Sequence, residues 1–439
     1  MTRRPLALCL VAALLAAPLA ALAYPLDGYP WTRIKRLEAY RLAAQGSRVP
    51  SFLTEGEMLP GDGVQLNLVD HAGFQMPMED TALSARIVEM LGADKRGYGI
   101  ALLDYSDPSR PRYAQHNADR PQNPGSVGKI MALLAWFQAL ADLYPEPADR
   151  QRLMLETEIT ADHFIRNDSH DVPFFQFGQS GVERRPIAEG DTANVWTFLD
   201  WTASASSNAA ASTMMQHLVL LTHFGKDYPV PKAEADAYLK NTPQKELTKT
   251  YLDAIRTPAT RNGIDLGKLR QGHFFTREGK TRIPGVRSTS TPGELLKFYV
   301  LMEQGKLVDP WSSREIKKLL YLTDKRIRYA ASPSLADSAV YFKSGSLYGC
   351  KPEKGFDCGK FRGNRMNFMN SMVIIESIDR NPPVRYAVVV LSNVLRKDSS
   401  ELHQQLGANI HRIMQESHPV ASSAPPATPA PTAGDATAF

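Results

Sequence analysis

The apolar residues of this chain follow two different periods, and each period predicts a type of secondary structure. Four segments are apolar or β-branched runs of strand length, as in the core strands of an antiparallel sheet. They are 97–105, 339–343, 371–376 and 386–391, and a shorter strand is predicted over 112–115, after the first of them. An Asp-Pro turn separates 97–105 from 112–115, which predicts a hairpin. Because two strands lie early and three lie late, the sheet is predicted to join both ends of the chain.

Between these strands the apolar residues recur every three to four positions, as they do on the buried face of a helix. The clearest helix opens at Ser126, directly after the chain-breaking run Asn123-Pro124-Gly125. Further helical patterns fall within 32–45, 153–244, 294–303, 312–320 and 399–416. The pattern therefore predicts a helical region inserted between the two parts of one sheet.

The first 23 residues have the pattern of a secretory signal peptide. Two arginines precede an apolar run over 6–19, and Ala21-Leu22-Ala23 is a small-x-small cleavage site. We expect cleavage after Ala23 and a secreted or periplasmic protein. A retained membrane anchor is the alternative, although the apolar run is short for a spanning helix. No later stretch is expected to be long and apolar enough to span a bilayer.

The rest of the chain divides into three predicted parts. Residues 24–80 are rich in Pro and Gly and are interpreted as an N-terminal extension packed on the main body. Residues 81–418 contain the strands and most helices and form the main domain. Residues 419–439 are rich in Pro, Ala, Thr and Ser and are predicted to be disordered.

Composition and charge argue against several classes of function. The 439 residues are 43% hydrophobic and 22% charged, as in an ordinary soluble globular protein. The formal net charge of +5 falls to +3 without the two arginines of the signal segment, and no Lys/Arg block is interleaved with aromatic residues. Nucleic-acid binding therefore has little support.

Two cysteines remain after the signal segment, Cys350 and Cys358. In an oxidising compartment, an even pair eight positions apart favours a disulfide that closes a local loop. Two free thiols are the alternative.

The ten histidines show no spacing of the His-Glu-x-x-His type, so we predict neither a metal nor a cofactor. A sequence cluster of acidic residues and histidines leaves a metal site as a weaker alternative. Its members are Asp162, His163, His170 and Asp171.

Three short motifs have catalytic potential, and the first is Ser126-Val127-Gly128-Lys129, the only Ser-x-x-Lys in the chain. Residues three apart share a helix face, so the Lys129 amine can reach the Ser126 hydroxyl. A serine needs a neighbouring base to act as a nucleophile, and burial among other cations can lower the pKa of a lysine enough to serve. A helix N-terminus also directs backbone N–H groups at developing negative charge.

The second motif is Ser206-Ser207-Asn208, the only Ser-x-Asn, within a run of small residues. Ser206 could relay a proton, and the Asn208 amide could bind a substrate carbonyl. Taken alone, the run is equally typical of an Ala-rich helix junction.

The third motif is Lys343-Ser344-Gly345-Ser346, predicted to follow the strand that ends at Phe342. Lys343 and the Ser344 hydroxyl would bind an anionic group such as a carboxylate, and Gly345 would let a ligand lie along the backbone. The Ser346 N–H would pair with that of Ser126 as an oxyanion hole. A plain strand-end turn with a solvated lysine is the alternative.

In this order, the three motifs resemble the set found in serine β-lactamases of class A and in penicillin-binding proteins, which are D,D-peptidases. The resemblance covers about residues 80–418. It implies an α+β fold: an α/β/α sandwich with a five-stranded antiparallel sheet flanked by helices, plus an inserted all-helical subdomain. The implied site roles are acylation of Ser126, proton transfer by Lys129 and Ser206, amide binding by Asn208, and carboxylate binding by Lys343 and Ser344.

The chain departs from the class A pattern at the omega loop. Class A enzymes resemble one another in a glutamate and, four residues on, an asparagine shortly before a proline, a pair that positions the water that frees the acyl-enzyme. Counting from Pro284, these positions are Thr276 and Lys280, and Glu278 is out of register. Ser207 also stands where class A enzymes usually have Asp. A fast β-lactamase is therefore not expected.

The leading hypothesis is a D,D-carboxypeptidase-like hydrolase of D-Ala-D-Ala peptides that also binds β-lactams. The alternatives are a class A-like β-lactamase, a catalytically weak binding or sensor protein of the same fold, and an esterase for small acyl esters. The expected partner is a small peptide or β-lactam substrate, with peptidoglycan as a further candidate.

Overall fold

The structure is a computed structural model and describes residues 23–24, 27–46, 53–60, 63–71 and 73–420. The predicted signal segment, apart from Ala23, lies outside these residues. So does the tail predicted to be disordered, apart from its first two residues. Both remain predictions.

The described residues form eleven β-strands and thirteen α-helices. The strands are β1 (Ala23–Tyr24), β2 (Leu59–Pro60), β3 (Tyr98–Asp104), β4 (Arg112–His116), β5 (Glu158–Thr160), β6 (Val172–Phe174), β7 (Glu183–Arg185), β8 (Thr192–Asn194), β9 (Ser338–Gly349), β10 (Met366–Ser377) and β11 (Arg385–Asn393). The α-helices are α1 (Tyr29–Thr32), α2 (Lys35–Gln45), α3 (Thr81–Met90), α4 (Lys129–Leu143), α5 (Pro147–Glu156), α6 (Val195–Ala203), α7 (Asn208–Phe224), α8 (Lys232–Asn241), α9 (Gln244–Arg261), α10 (Arg277–Arg282), α11 (Pro292–Glu303), α12 (Pro310–Tyr321) and α13 (Ser399–Ser417).

A five-stranded antiparallel sheet forms the centre of the protein, in the order β4-β3-β11-β10-β9. The hairpin of β3 and β4 is the predicted one, and the late strands β9 to β11 complete the sheet. The predicted α+β sandwich, with a sheet built from both ends of the chain, is therefore confirmed. Strand β9 lies at one edge of the sheet, which becomes important for the site.

Helices cover both faces of the sheet. Along β11, Val388 and Val390 pack with α3 and α13, whereas Ala387 and Val389 belong to the larger core that includes α4, α7 and α11. Successive side chains of a strand point to opposite faces, so burial on both faces produces the unbroken apolar run that predicted this strand.

Within the described residues, Gly125–Leu143 alone is long and apolar enough to cross a membrane, by length and composition. The expectation that no stretch after the signal segment would qualify was thus too strict. Most of this segment is buried inside the protein, with Trp136 and Phe137 almost fully enclosed. A helix that is apolar all round is typical of a core helix in a large domain.

The late strands are longer than the apolar pattern predicts. Strand β9 continues to Gly349, so Lys343-Ser344-Gly345-Ser346 lies inside this edge strand rather than after it. The extension arises because backbone pairing does not depend on side-chain polarity: Ser344 pairs with Ser371 and Gly345 with Asn370 of β10.

The inserted region contains small strands as well as helices. Strands β5 and β8 form one two-stranded sheet and β6 and β7 form another. Each of these strands is three residues long, which is too short for an alternating apolar pattern to be recognised.

The described part of residues 24–80 packs on the main domain. Arg36 of α2 forms a buried ion pair with Asp200 of α6, with N–O distances of 2.7 and 2.6 Å. Asn67 donates to Glu376 of β10 at 2.6 Å. A buried ion pair that loses one partner leaves an unpaired charge, so these contacts hold the extension in place.

Candidate active site

Ser126 lies in a 3₁₀ turn, Gly125–Gly128, directly before α4, and not within the α-helix itself. Gly125 has a φ of 53°, which a residue with a Cβ rarely adopts. The Asn123 side chain accepts from the Gly125 N–H at 2.9 Å, and Asn370 of β10 donates to the Asn123 carbonyl at 2.9 Å. These bonds fix the turn of Ser126 against the sheet.

Lys129, the first residue of α4, is fully buried beside Ser126. Its Nζ lies 3.0 Å from Ser126 Oγ, 2.6 Å from the Ser206 carbonyl oxygen and 2.8 Å from Asn208 Oδ1. Burial lowers the pKa of Lys129 to about 7, and the charge of Asp168 opposes this effect. A lysine that is substantially neutral near pH 7 can accept the proton of a neighbouring serine.

Ser206 joins the first and third motifs. Its carbonyl accepts from Lys129, while its hydroxyl accepts from Lys343 Nζ at 2.7 Å. The residue has a φ of 59°, in the left-handed region that is strained for residues other than glycine. Strain of this kind is concentrated at functional sites, where the surrounding structure enforces it.

Lys343 is buried within β9, with 2% of its surface exposed. Burial lowers the pKa of Lys343 well below its ordinary value, and the charges of Lys129 and Arg328 lower it further. Its Nζ contacts Ser206 Oγ, and Ser206 lines the same cleft as Ser126.

Strand β9 passes so close to the Ser126 turn that only glycine fits at position 345. A Cβ on Gly345 would lie 2.4 Å from the Pro124 carbonyl oxygen and 2.6 Å from Ser126 N. A Cβ on Gly125 would lie 3.1 Å from Ser346 N. The backbone N–H groups of Ser126 and Ser346 therefore border the same space, as an oxyanion hole requires.

Arg328 is a site residue that sequence reasoning missed. Its guanidinium donates to Ser344 Oγ at 2.9 Å and to Ser346 Oγ at 3.0 Å, and it lies 4.7 Å from the centre of the Phe361 ring. Burial lowers the pKa of Arg328 to about 10, so it stays cationic near neutral pH. The residue has a φ of 55°. No motif signals such an arginine, because its position depends on a strained turn and not on spacing.

Ser126, Ser206 and Arg328 line one cleft of about 770 Å³, and the buried Lys129 and Lys343 lie behind its wall. All three motifs contribute to it, together with Arg328 and the rim residues Tyr348 and Phe361. The predicted disulfide between Cys350 and Cys358 is present, in the loop that joins β9 to β10. This loop begins just beyond Tyr348 and includes Phe361, so the disulfide braces one side of the cleft.

The omega-loop positions contain neither of the usual residues. Thr276, at the glutamate position, is buried, and its hydroxyl donates to the Phe164 carbonyl at 2.6 Å. Lys280, at the asparagine position, lines the cleft, whereas Glu278 does not. The Phe275 ring lies 4.6 Å from Lys129 Nζ and covers it from this side. This wall therefore presents no carboxylate from these positions to activate a water.

A carboxylate from the inserted region lies beside the second motif. Asp168 Oδ2 accepts from Ser207 Oγ at 2.9 Å and from the Ala209 N–H at 2.8 Å. The motif thus has an acidic neighbour even though Ser207 replaces the usual Asp. Sequence reasoning missed Asp168, which lies 39 positions from Ser207.

The histidine and acid cluster of the inserted region does not assemble as a metal site. The Asp162 carboxylate accepts hydrogen bonds from Phe164 N and Gln216 Nε2, and His170 is hydrogen-bonded to Asp168. Across the part of the chain that the structure describes, no group of three or more His, Cys, Asp or Glu is arranged to hold a metal ion. The weaker metal alternative is therefore not supported.

The antiparallel sheet, the helical layers and the convergent motifs define a serine hydrolase of the β-lactamase and transpeptidase superfamily. A model of the β-lactamase enzyme family matches residues 82–412. The chain belongs to this family.

Solved structures of similar fold are distant in sequence. The TLA-3 extended-spectrum β-lactamase is 11% identical, with 76% of this chain and 98% of that chain covered and a TM-score of 0.50. PBP-A is 14% identical, with 78% and 100% covered and a TM-score of 0.47. A β-lactamase from Sphaerobacter thermophilus is 13% identical, with 77% and 97% covered and a TM-score of 0.46. No curated protein sequence matches the chain significantly.

Proposed function

We propose that this protein is an exported D,D-peptidase-like hydrolase that forms an acyl-enzyme at Ser126 with D-Ala-D-Ala peptides and also binds β-lactams. The observation that carries the proposal is the 3.0 Å contact between Lys129 Nζ and Ser126 Oγ, in a site that also contains Lys343 and the cation Arg328. The signal-like residues 1–23 and the disulfide support export, because disulfides persist in oxidising compartments.

Acylation follows from the arrangement of these groups. Neutral Lys129 takes the proton of Ser126 as Oγ attacks the substrate carbonyl, and the N–H groups of Ser126 and Ser346 stabilise the oxyanion. The proton then reaches the leaving amine through the Ser206 hydroxyl. Asn208 uses Oδ1 to bind Lys129, so its Nδ2 remains to orient the substrate amide.

The terminal carboxylate of the substrate would bind where Lys343 and Arg328 meet. The hydroxyls of Ser344 and Ser346 already hold the Arg328 guanidinium in place. A planar guanidinium and two hydroxyls match the shape of a carboxylate. This pocket fits a peptide with a free C-terminus and equally the carboxylate of a penicillin.

Replacing Arg328 by glutamine is expected to lower kcat/KM for a carboxylate-bearing substrate by about 10–100-fold, because hydrogen bonds to charged groups contribute about 1.5–3 kcal/mol. Steady-state kinetics with an acyl-D-Ala-D-Ala peptide and with its C-terminal amide measure the effect. The amide should be much less affected by the substitution. Arg110→Gln, at a side chain that is 85% exposed, is the matched control. Equal losses for both substrates would contradict a role in carboxylate binding.

The absence of the omega-loop glutamate favours the peptidase over the β-lactamase. Intact-mass time courses with penicillin G and with a D-Ala-D-Ala peptide test the proposal directly. We expect a long-lived penicillin adduct that Ser126→Ala does not form, together with release of D-Ala from the peptide. Rapid penicillin turnover without an adduct would favour the β-lactamase alternative. Neither adduct nor product would favour a binding protein of the same fold.

A further inference from the structure

The inserted region contributes a histidine to the wall of the catalytic cleft and a buried carboxylate behind it. His170 lines the cleft together with Ser126, Ser206 and Asn208. Its Nδ1 lies 2.5 Å from Asp168 Oδ1. The acylation step described above uses neither residue, so the pair has no role yet.

Asp168 is held rigidly in this position. Its side chain is only 4% exposed, and Oδ2 accepts from Ser207 Oγ and Ala209 N while Oδ1 accepts from the Ser169 N–H at 2.9 Å. Burial alone would raise the pKa of Asp168, but the bonds from His170, Ala209 and Ser207 outweigh it and hold the pKa well below its ordinary value. The carboxylate is therefore ionised. Its negative charge also acts on Lys129, where it opposes the lowering of the lysine pKa by burial.

An ionised carboxylate beside Nδ1 determines which tautomer the neutral imidazole ring of His170 adopts. The hydrogen-bond network assigns the proton of neutral His170 to Nδ1, which leaves the lone pair on Nε2. Among the described residues, Nε2 of His170 has no hydrogen-bond partner, and 41% of the side chain is exposed. A histidine oriented through Nδ1 by a carboxylate is the arrangement that makes Nε2 a general base.

We propose that His170 is the general base for hydrolysis of the acyl-enzyme at Ser126, with Asp168 as its positioning residue. This inference rests on the proposed function, because it concerns the second half of the same reaction. His170 would supply the base that the omega-loop positions lack. Thr276 stands at the glutamate position, and its hydroxyl donates to a backbone carbonyl.

A second histidine of the cleft is the competing base. His273 also lines the cleft, and its Nδ1 bonds the Phe274 carbonyl at 2.8 Å. Burial lowers the pKa of His273. His170 is held through Nδ1 by the carboxylate of Asp168, whereas His273 is held by an uncharged backbone carbonyl. The two histidines therefore differ in the charge of the group that orients the ring.

The hydrolytic step balances without an added reagent. His170 Nε2 removes a proton from water as the water oxygen bonds to the acyl carbonyl carbon, and the oxyanion forms between the N–H groups of Ser126 and Ser346. When this intermediate collapses, the bond between the carbonyl carbon and Ser126 Oγ breaks. The proton on Nε2 passes through cleft water to Oγ, which restores Ser126 and neutral His170 and releases the carboxylic acid.

The test uses an acyl-D-alanyl thioester with the full-length protein. The initial burst of thiol measures acylation, and the steady rate and intact mass measure deacylation. We expect His170→Gln to slow deacylation by about 10²–10⁴-fold, with acyl-enzyme accumulating on Ser126 and acylation changed by less than about twofold. Asp168→Asn should slow the same step by a smaller factor. Added imidazole should accelerate loss of the acyl group from His170→Ala.

His273→Gln separates the two histidines. It should deacylate at nearly the wild-type rate, and a selective slowing of deacylation by this variant instead would overturn the proposal. A His170→Gln variant that deacylates normally, or that loses acylation and deacylation equally, would also overturn the proposal. In that case the proposed function would still stand, provided that the wild-type protein is acylated at Ser126. A wild-type protein that is never acylated would remove both. Melting temperatures identify any variant, Asp168→Asn above all, that fails to fold.

Discussion

Replacing Lys129 by methionine is expected to lower the rate of Ser126 acylation by about 10²–10⁴-fold, the contribution typical of a positioned general base. Methionine keeps the length of the side chain but removes the amine that lies 3.0 Å from Ser126 Oγ. Stopped-flow measurement of penicillin acylation gives the rate for both proteins. Lys249→Met, at a lysine whose side chain is 79% exposed, is the control for the substitution itself.

The pH dependence of acylation should identify Lys129 as the base. Burial lowers its pKa to about 7, so below this pH the amine is protonated and cannot accept the serine proton. Acylation by the wild-type protein should therefore rise as pH increases through about 7 and level off above it. The Lys129→Met variant should lose this step in the profile. A variant that keeps both the rate and the step would show that another group removes the proton.

A Gly345→Ala substitution is expected to lower acylation by about 10²–10³-fold, the effect typical of losing one oxyanion-hole donor. The added Cβ would lie 2.4 Å from the Pro124 carbonyl oxygen and 2.6 Å from Ser126 N. Both are backbone atoms, so β9 and the Ser126 turn must move apart. The Ser126 and Ser346 N–H groups then no longer reach the same oxygen.

Gly349→Ala provides a matched control on the same strand. A Cβ there meets nothing closer than the Met366 Cε at 4.0 Å, so this variant should acylate at the wild-type rate. Penicillin acylation rates and melting temperatures of the two variants are compared. If Gly345→Ala retains both stability and rate, the close approach of the strand to Ser126 has no catalytic importance.

Much of the fold could be predicted because its physics is local. Strands β3 and β11 are buried on both faces along most of their length and show unbroken apolar runs, and α4 shows apolar residues all round because it lies in the core. The ends of β9 and β10 could not be predicted in this way. Their polar residues pair through the backbone, which leaves no trace in the hydrophobic pattern.

The candidate site likewise contains residues that could be predicted from the sequence and residues that could not. Lys129 is three residues from Ser126, and the order of the three motifs is visible in a single sequence, so these residues could be proposed at once. Arg328 and Asp168 reach the site through a strained turn and an inserted loop. Their contacts depend on tertiary placement, which neither composition nor spacing encodes.

The cluster of Lys129, Lys343 and Arg328 links the stability of the folded protein to its affinity for anionic ligands. Burial lowers the pKa of Lys343 most, and the charges of Lys129 and Arg328 lower it further, so the folded chain holds these groups together at the expense of its own stability. A substrate carboxylate relieves this repulsion when it binds. Substitutions that neutralise one of the three would therefore make the protein more robust and, by the same physics, a poorer receptor for anions.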